Sequence, residues 1–197
     1  DVYKRQVWLF DLPGQHVAAI DLVQPIELDT EPLECEGLAL MAIRTSDEGT
    51  AQHPGVTMAE ALEGCGAAYS GDARHGATVA TMDVPITRLD QALRLFGEII
   101  TSSTHEDEAV ERHRMLRLAE IDQARANGSS TANEALRRVR WAEGSRASRP
   151  AGGSALTVAA ITPQQVRLFD TEQWSPLGST LVLGGDSVSY THLTLPT

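Results

Sequence analysis

The stretch E-C-E-G-L-A-L-M-A-I-R-T-S-D-E-G-T, Glu34 to Thr50, decides how this chain is read. Leu38, Met41, Ala42 and Thr45 recur at i, i+3, i+4 and i+7, the spacing of one buried helical stripe. The pattern predicts a single helix across the window, closed by Gly49 as a C-terminal cap. Leu40, Ile43, Arg44 and Asp47 fall on a neighbouring face, and the functional question sits there.

Gly37 to Thr50, G-L-A-L-M-A-I-R-T-S-D-E-G-T, resembles the active-site helix of the M16 metallopeptidases, the insulinase and mitochondrial-processing-peptidase family. In that family the window carries the inverted zinc motif H-x-x-E-H, followed by G-T. Two histidines at i and i+4 share a helical face and bind zinc through ring nitrogens. The glutamate between them is the general base on zinc-bound water. A second glutamate, well downstream, completes the metal shell.

The resemblance places Leu40 and Arg44 at the two histidine positions and Ile43 at the general-base position. The downstream ligand position falls on Glu120, 76 residues after Arg44. Leucine and isoleucine offer no lone pair, and arginine is a permanent cation. One ligand of three does not hold zinc. The expectation is a degenerate member with no catalytic residue and no bound zinc, of which only Glu120 is retained. If the fold match holds, Arg44 and Glu120 converge where the metal would sit, and a guanidinium–carboxylate pair replaces it. The alternative is that Glu120 pairs with Arg117 one turn earlier, or with solvent.

The 197 residues suffice for one domain with a substantial core. With 27 acidic against 16 basic residues the formal charge is −11, which argues against nucleic acid as the main partner. No apolar run reaches the roughly 18–20 residues of a membrane helix. Two cysteines, Cys35 and Cys65, make no disulfide framework and read as buried reduced thiols. The ends, residues 1–6 (DVYKRQ) and 188–197 (VSYTHLTLPT), resemble translated sequencing-adapter read-through. They are set aside from the domain, 7–186.

Val7 to Leu12, a Pro13-Gly14 turn and Val17 to Ile26 predict two strands of a hairpin or meander. Both faces of the second strand are largely apolar, which predicts cover on two sides. Glu31, Glu34 and Glu36 suit the N-terminus of the central helix. Thr57 with Glu60, and Ser103 with Glu106, predict capping boxes for a short helix and for a long one ending near Ala126. Strands Ala67–Ala73 and Ala77–Ile86 meet around His75-Gly76. Helices follow at 90–101, 133–141 and from Pro163 to about Gln173, with a loop at 145–154 and a last strand at 179–184.

Strand pairs and helix pairs in runs imply an α+β fold. The M16 resemblance implies the same: an antiparallel-dominated sheet with helices packed on one side. It also draws on A-E-A-L-E-G-C-G-A, V-E-R-H…L-A-E-I and S-T-L-V-L-G-G-D, in that order. Family members of the bacterial and mitochondrial type carry two such domains in tandem, and this chain resembles the first.

Other chemistry is weakly signalled. None of the six histidines pairs with a second ligand in a recognised motif. His105 stands beside acidic residues at a helix start, and His113 lies two turns before Glu120 on its face. Cys65 reads as a helix-end residue, and G-x-S-x-G and phosphate-loop patterns are absent. Arg137 to Trp141 reads as a solvated helix face. What the resemblance implies is therefore a structural and peptide-binding partner of a zinc-bearing M16 metalloendopeptidase. That role involves a second M16-like domain and the assembly's peptide substrates. Two alternatives stand beside it: an active domain with a non-standard metal site, and a protein-interaction module that keeps only the fold.

Overall fold

The computed structural model describes residues 6–173 and 178–186. Five strands form one sheet: β1 (Gln6–Asp11), β2 (Val17–Gln24), β3 (Ala68–Arg74), β4 (Ala77–Pro85) and β5 (Thr180–Gly185). Their spatial order is β1-β5-β2-β4-β3. Every pairing is antiparallel except β1 with β5. The helices are α1 (Leu38–Arg44), α2 (Val56–Cys65), α3 (Leu89–Ser102), α4 (Asp107–Arg125), α5 (Gly128–Arg140), α6 (Ala155–Ala160) and α7 (Pro163–Gln173). The α+β class and the mostly antiparallel sheet stand as read from the sequence. Of the ends set aside, Gln6 is described and pairs with Thr180; 1–5 and 188–197 lie outside the described residues.

One face of the sheet carries the core. Ala18 and Ile20 lie opposite Val84 and Met82, all fully buried, and Leu22 lies opposite Ala80. The intervening Ala19, Asp21 and Val23 are only half-buried, so β2 is not covered on two sides. Asp21 accepts a hydrogen bond from Thr81 Oγ1 (2.7 Å) on that wetter face. α3 lays Leu89, Ala92, Leu95, Phe96 and Ile99 into the core, one helical stripe.

Several expectations are corrected. β1 and β2 are not a hairpin: the turn at Pro13-Gly14 exists, but β5 inserts between the two strands. The window Glu34–Thr50 is not one helix. It comprises a 3-10 turn (Leu33–Cys35), a break at Gly37 with φ 110°, and the seven-residue α1. α1 stops at Thr45, whose hydroxyl bonds back to the Met41 carbonyl (2.8 Å). Gly49 is not its cap. It is a close-packing position, where a Cβ would stand 2.7 Å from the Gly55 nitrogen.

Neither capping box forms. Thr57 Oγ1 donates to the Pro54 carbonyl instead, and Ser103 Oγ donates to the carbonyls of Ser46 (2.7 Å) and Ile99 (2.5 Å). α5 starts five residues before its expected position, capped by Asn127 Oδ1, which accepts from the N–H groups of Ser129 and Ser130. α6 was expected as part of no element. It is opened by a reciprocal Ser154–Thr157 capping box.

Candidate functional site

α1 is apolar all round and buried all round: only Arg44 of its seven residues reaches solvent. Its N-terminus is held from outside the helix. Glu31, with a fully buried side chain, accepts from the N–H groups of Gly37 (3.1 Å) and Ala39 (2.9 Å) through Oε1. Its Oε2 accepts from Arg146 Nη2 (2.8 Å) and Nε (3.3 Å). Burial pushes the Glu31 carboxyl above its ordinary range, against the opposing backbone N–H groups and Arg146.

Arg146 also donates to the carbonyls of Pro150 (2.9 Å) and Ala151 (2.8 Å). Arg149 grips Glu36 with Nε (2.8 Å) and Nη2 (2.7 Å). Two buried carboxylates before α1 thus hold down the 145–154 loop. The result brings Gly152 against α1, where a Cβ would lie 2.5 Å from Leu40 Cδ2. These four residues were missed as a set in the sequence. Glu31 and Arg146 are 115 positions apart, and no local pattern links them.

The positions that the resemblance assigns to the metal site lie as follows. Leu40 is 4% exposed, under Gly152, and Ile43 is 0% exposed. Ile43 faces β3: a Cβ on Gly71 would be 2.6 Å from both its Cγ1 and its carbonyl oxygen. Arg44 Nη1 donates to both oxygens of Glu120, at 2.8 and 3.0 Å. Arg117 Nη1 donates to Glu120 Oε2 (2.9 Å), and Arg117 Nε donates to the Gly152 carbonyl (3.1 Å). Glu120 therefore holds two guanidiniums, one from α1 and one from its own helix. Against the desolvation of partial burial, the hydrogen bonds from Arg117 and Arg44 hold its carboxyl below the ordinary range.

This donor set does not fit zinc. The side chains at 40 and 43 carry no lone pair, and the one carboxylate is already bonded to two cations. Among the described residues no group of three or more His, Cys, Asp or Glu side chains is arranged to hold a metal ion.

A second polar cluster lies just beyond α1. Glu48 accepts from His113 Nε2 (2.6 Å) and is bonded to Arg112 Nη2. The His113 hydrogen bond, with Arg112 adding to it against desolvation, pulls the Glu48 carboxyl down to about 2. Its neighbour Asp47 is pushed up to about 6, chiefly by burial and further by the Glu48 charge. His113 is thus a partner of Glu48. His105 is 1% exposed at a positive φ of 45°, with Nδ1 2.8 Å from Thr45 Oγ1. Its other ring nitrogen, Nε2, lies 3.3 Å from Asp170 Oδ2. Cys35 and Cys65 are buried free thiols. No helix among the described residues is long and apolar enough to cross a membrane.

Two comparisons place this architecture. The sequence profile of the insulinase family, peptidase family M16, matches residues 15–150. No curated protein sequence matches the chain. Among solved structures, the inactive domain of a peptidase M16 from Pseudomonas fluorescens superposes with a TM-score of 0.80 at 21% identity. That match covers 91% of this chain and 44% of the other. The periplasmic protease PqqL from Escherichia coli gives a TM-score of 0.80 at 20% identity, covering 97% of this chain and 23% of PqqL. Pitrilysin gives 0.77 at 20% identity, covering 91% and 20%. At these identities the likeness is one of fold, and the chain spans less than half of each of these proteins. With more than half of its length matched by the family profile, the chain belongs to the insulinase family of peptidases, family M16.

Proposed function

We propose that this domain is a non-catalytic M16 domain that serves as structural and peptide-binding partner to a zinc-bearing M16 metalloendopeptidase. One observation carries the reading: the carboxylate at the family's downstream ligand position is in hydrogen-bond contact with the arginine at a histidine position, 2.8 Å away. On the register the resemblance gives, a guanidinium takes the place a metal would need. The general-base position supports the same reading. Ile43 is enclosed between α1 and β3, where no substrate water has access and no group accepts a proton. The P. fluorescens domain of the same fold is described as inactive, which is in keeping with such domains occurring in the family.

On this reading the domain supplies wall surface and a docking face, and the partner supplies zinc and general base. The test has two parts. The purified chain is expected to hold no stoichiometric zinc and to leave a quenched peptide uncut. Mixed with an H-x-x-E-H protein encoded beside it, it is expected to co-elute and raise that protein's turnover. One zinc per chain, or zinc-dependent cleavage by the chain alone, would overturn the proposal. So would an unchanged partner rate at saturating concentration. A Leu40→His/Arg44→His double variant checks the register separately. With Glu120 it recreates three ligands, and binding of one zinc is the expected result.

A further inference from the structure

A cleft of about 560 Å³ opens between the C-terminal half of α4, α5 and the 145–154 loop. Its size falls within the roughly 300–1,000 Å³ of small-ligand pockets. Five guanidiniums line it, from Arg117, Arg125, Arg137, Arg138 and Arg149, against two carboxylates, Glu36 and Glu134. That is a local cationic surplus in a chain of net charge −11. Arg149 is bonded to Glu36, Arg138 to Glu134, and Arg117 to Glu120. Arg125 and Arg137 have no carboxylate partner among the described residues. The positive field extends past the cleft. On the β3–β4 turn, desolvation and then the charges of Arg146 and Arg137 hold His75 below its ordinary range.

Between the charges the wall is apolar, formed by Leu33, Ile121, Ala124 and Pro150. Leu33 is 65% exposed, an uncovered aliphatic contact at the rim. Two uncompensated forks flanking aliphatic side chains recognise a ligand that alternates carboxylates with apolar groups. The strongly acidic remainder of the chain disfavours a long polyanion, whose flanking phosphates would meet repulsion. We infer that this cleft binds an acidic peptide segment, its carboxylates on Arg125 and Arg137 and an aliphatic side chain against Ile121 and Leu33. Arg117 lines the cleft and also bonds Glu120, so the bound segment would run one helical turn from the family's metal position. The peptide character of the ligand rests on the proposed partner role; the anionic character rests on the cleft alone.

The test is fluorescence anisotropy on the full chain. The probe is a fluorescein-labelled octapeptide alternating Glu and Leu, beside a matched peptide alternating Gln and Leu. The acidic peptide is expected to bind at least tenfold more tightly, and to weaken as salt rises from 50 to 300 mM. Arg125→Gln/Arg137→Gln is expected to weaken it about tenfold or more, the effect of losing charge-assisted hydrogen bonds. Arg125 is exposed, so the fold has little stake in that side chain; a circular dichroism melt verifies both variants. Arg94→Gln, the same charge change on α3, is expected to leave binding unaltered. Equal binding of the two peptides overturns the inference, as does an unaffected double variant. Tighter binding of an oligo-dT of equal charge, or equal competition by pyrophosphate, overturns the peptide assignment. Failure of the parent chain to bind the acidic peptide, with partner stimulation intact, would sink the cleft and spare the partner role. The converse result would do the opposite.

Discussion

Replacing Arg146 by methionine should be among the costliest single changes in this domain. The guanidinium is 7% exposed and the Glu31 side chain 0%. Removing it strands a buried carboxylate and takes the donor from the Pro150 and Ala151 carbonyls. Breaking a buried pair from one side typically costs about 3–5 kcal/mol, because the remaining charge is left without compensation. At a urea dependence of roughly 2 kcal/mol per molar, the midpoint should fall by about 2 M. Unfolding is read by far-ultraviolet circular dichroism at pH 7.

Two controls make the reasoning refutable. Glu31 is already pushed up by burial, and without Arg146 it rises further. A raised carboxyl contributes stability below its unfolded pKa that is lost as pH climbs through the folded one. The variant should therefore recover part of its deficit between pH 7 and pH 5. A Glu31→Gln/Arg146→Met double variant should lose clearly less than the two single losses added, since neither partner is left charged and buried without the other. A single-variant midpoint within 0.5 M of the parent at pH 7, or strict additivity in the double variant, would show that the loop is held by something else.

Three further outcomes are expected. Arg44→Ala and Glu120→Gln should each cost only about 1 kcal/mol or less, a melting shift of roughly 2–4 °C, because Arg44 is 30% and Glu120 43% exposed. Glu48→Gln should destabilise at pH 7 and become neutral near pH 2. A carboxyl lowered to about 2 contributes above its unfolded value of 4.5 and loses that contribution as pH falls. Asp47→Asn should do the reverse, stabilising at pH 7 but not at pH 4, since ionising a group raised from 3.8 to about 6 works against folding. Both are followed by thermal melts across pH. Gly71→Ala should cost about 2 kcal/mol or more in chemical unfolding, because its Cβ would meet the backbone of Ile43 at 2.6 Å.

What the chain disclosed beforehand follows the reach of each signal. The β3–β4 hairpin, α3 and the Pro163 start of α7 were legible because periodicity and turn residues act within a few positions. The β1–β2 hairpin was misread for the opposite reason. Its turn is real, with Gln15 N–H bonded to the Leu12 carbonyl at 3.1 Å, but the edge it offers is taken by a strand from the far end. The capping boxes failed because their hydroxyls found other acceptors: Ser103 turned to Ser46, across to another element. Glu106 Oε1 accepts from the Gly55 N–H (3.1 Å), so it holds the turn before α2 instead of its own helix. α6 had a readable Ser154–Thr157 start, but six residues show too little periodicity to register. The buried Glu31–Arg146 pair left no local trace at all.

On the proposed reading, the charge around Glu120 stands in for a metal as a joint between two helices. The resemblance gives the family's zinc ligands at positions that fall on α1 and α4 of this chain. Here two guanidiniums bring the same formal charge to the same carboxylate, one from each helix. A part-exposed ion pair of this kind gives about 1 kcal/mol or less. On the same reading, Leu40 and Ile43 are buried where ligand and base side chains would need an open face, each worth roughly 2–3 kcal/mol of apolar burial. The Glu31–Arg146 pair then holds the loop that covers Leu40. A site with an open coordination position cannot also be packed shut. The residues that tighten this core are therefore, on the proposed reading, the ones that ended the chemistry.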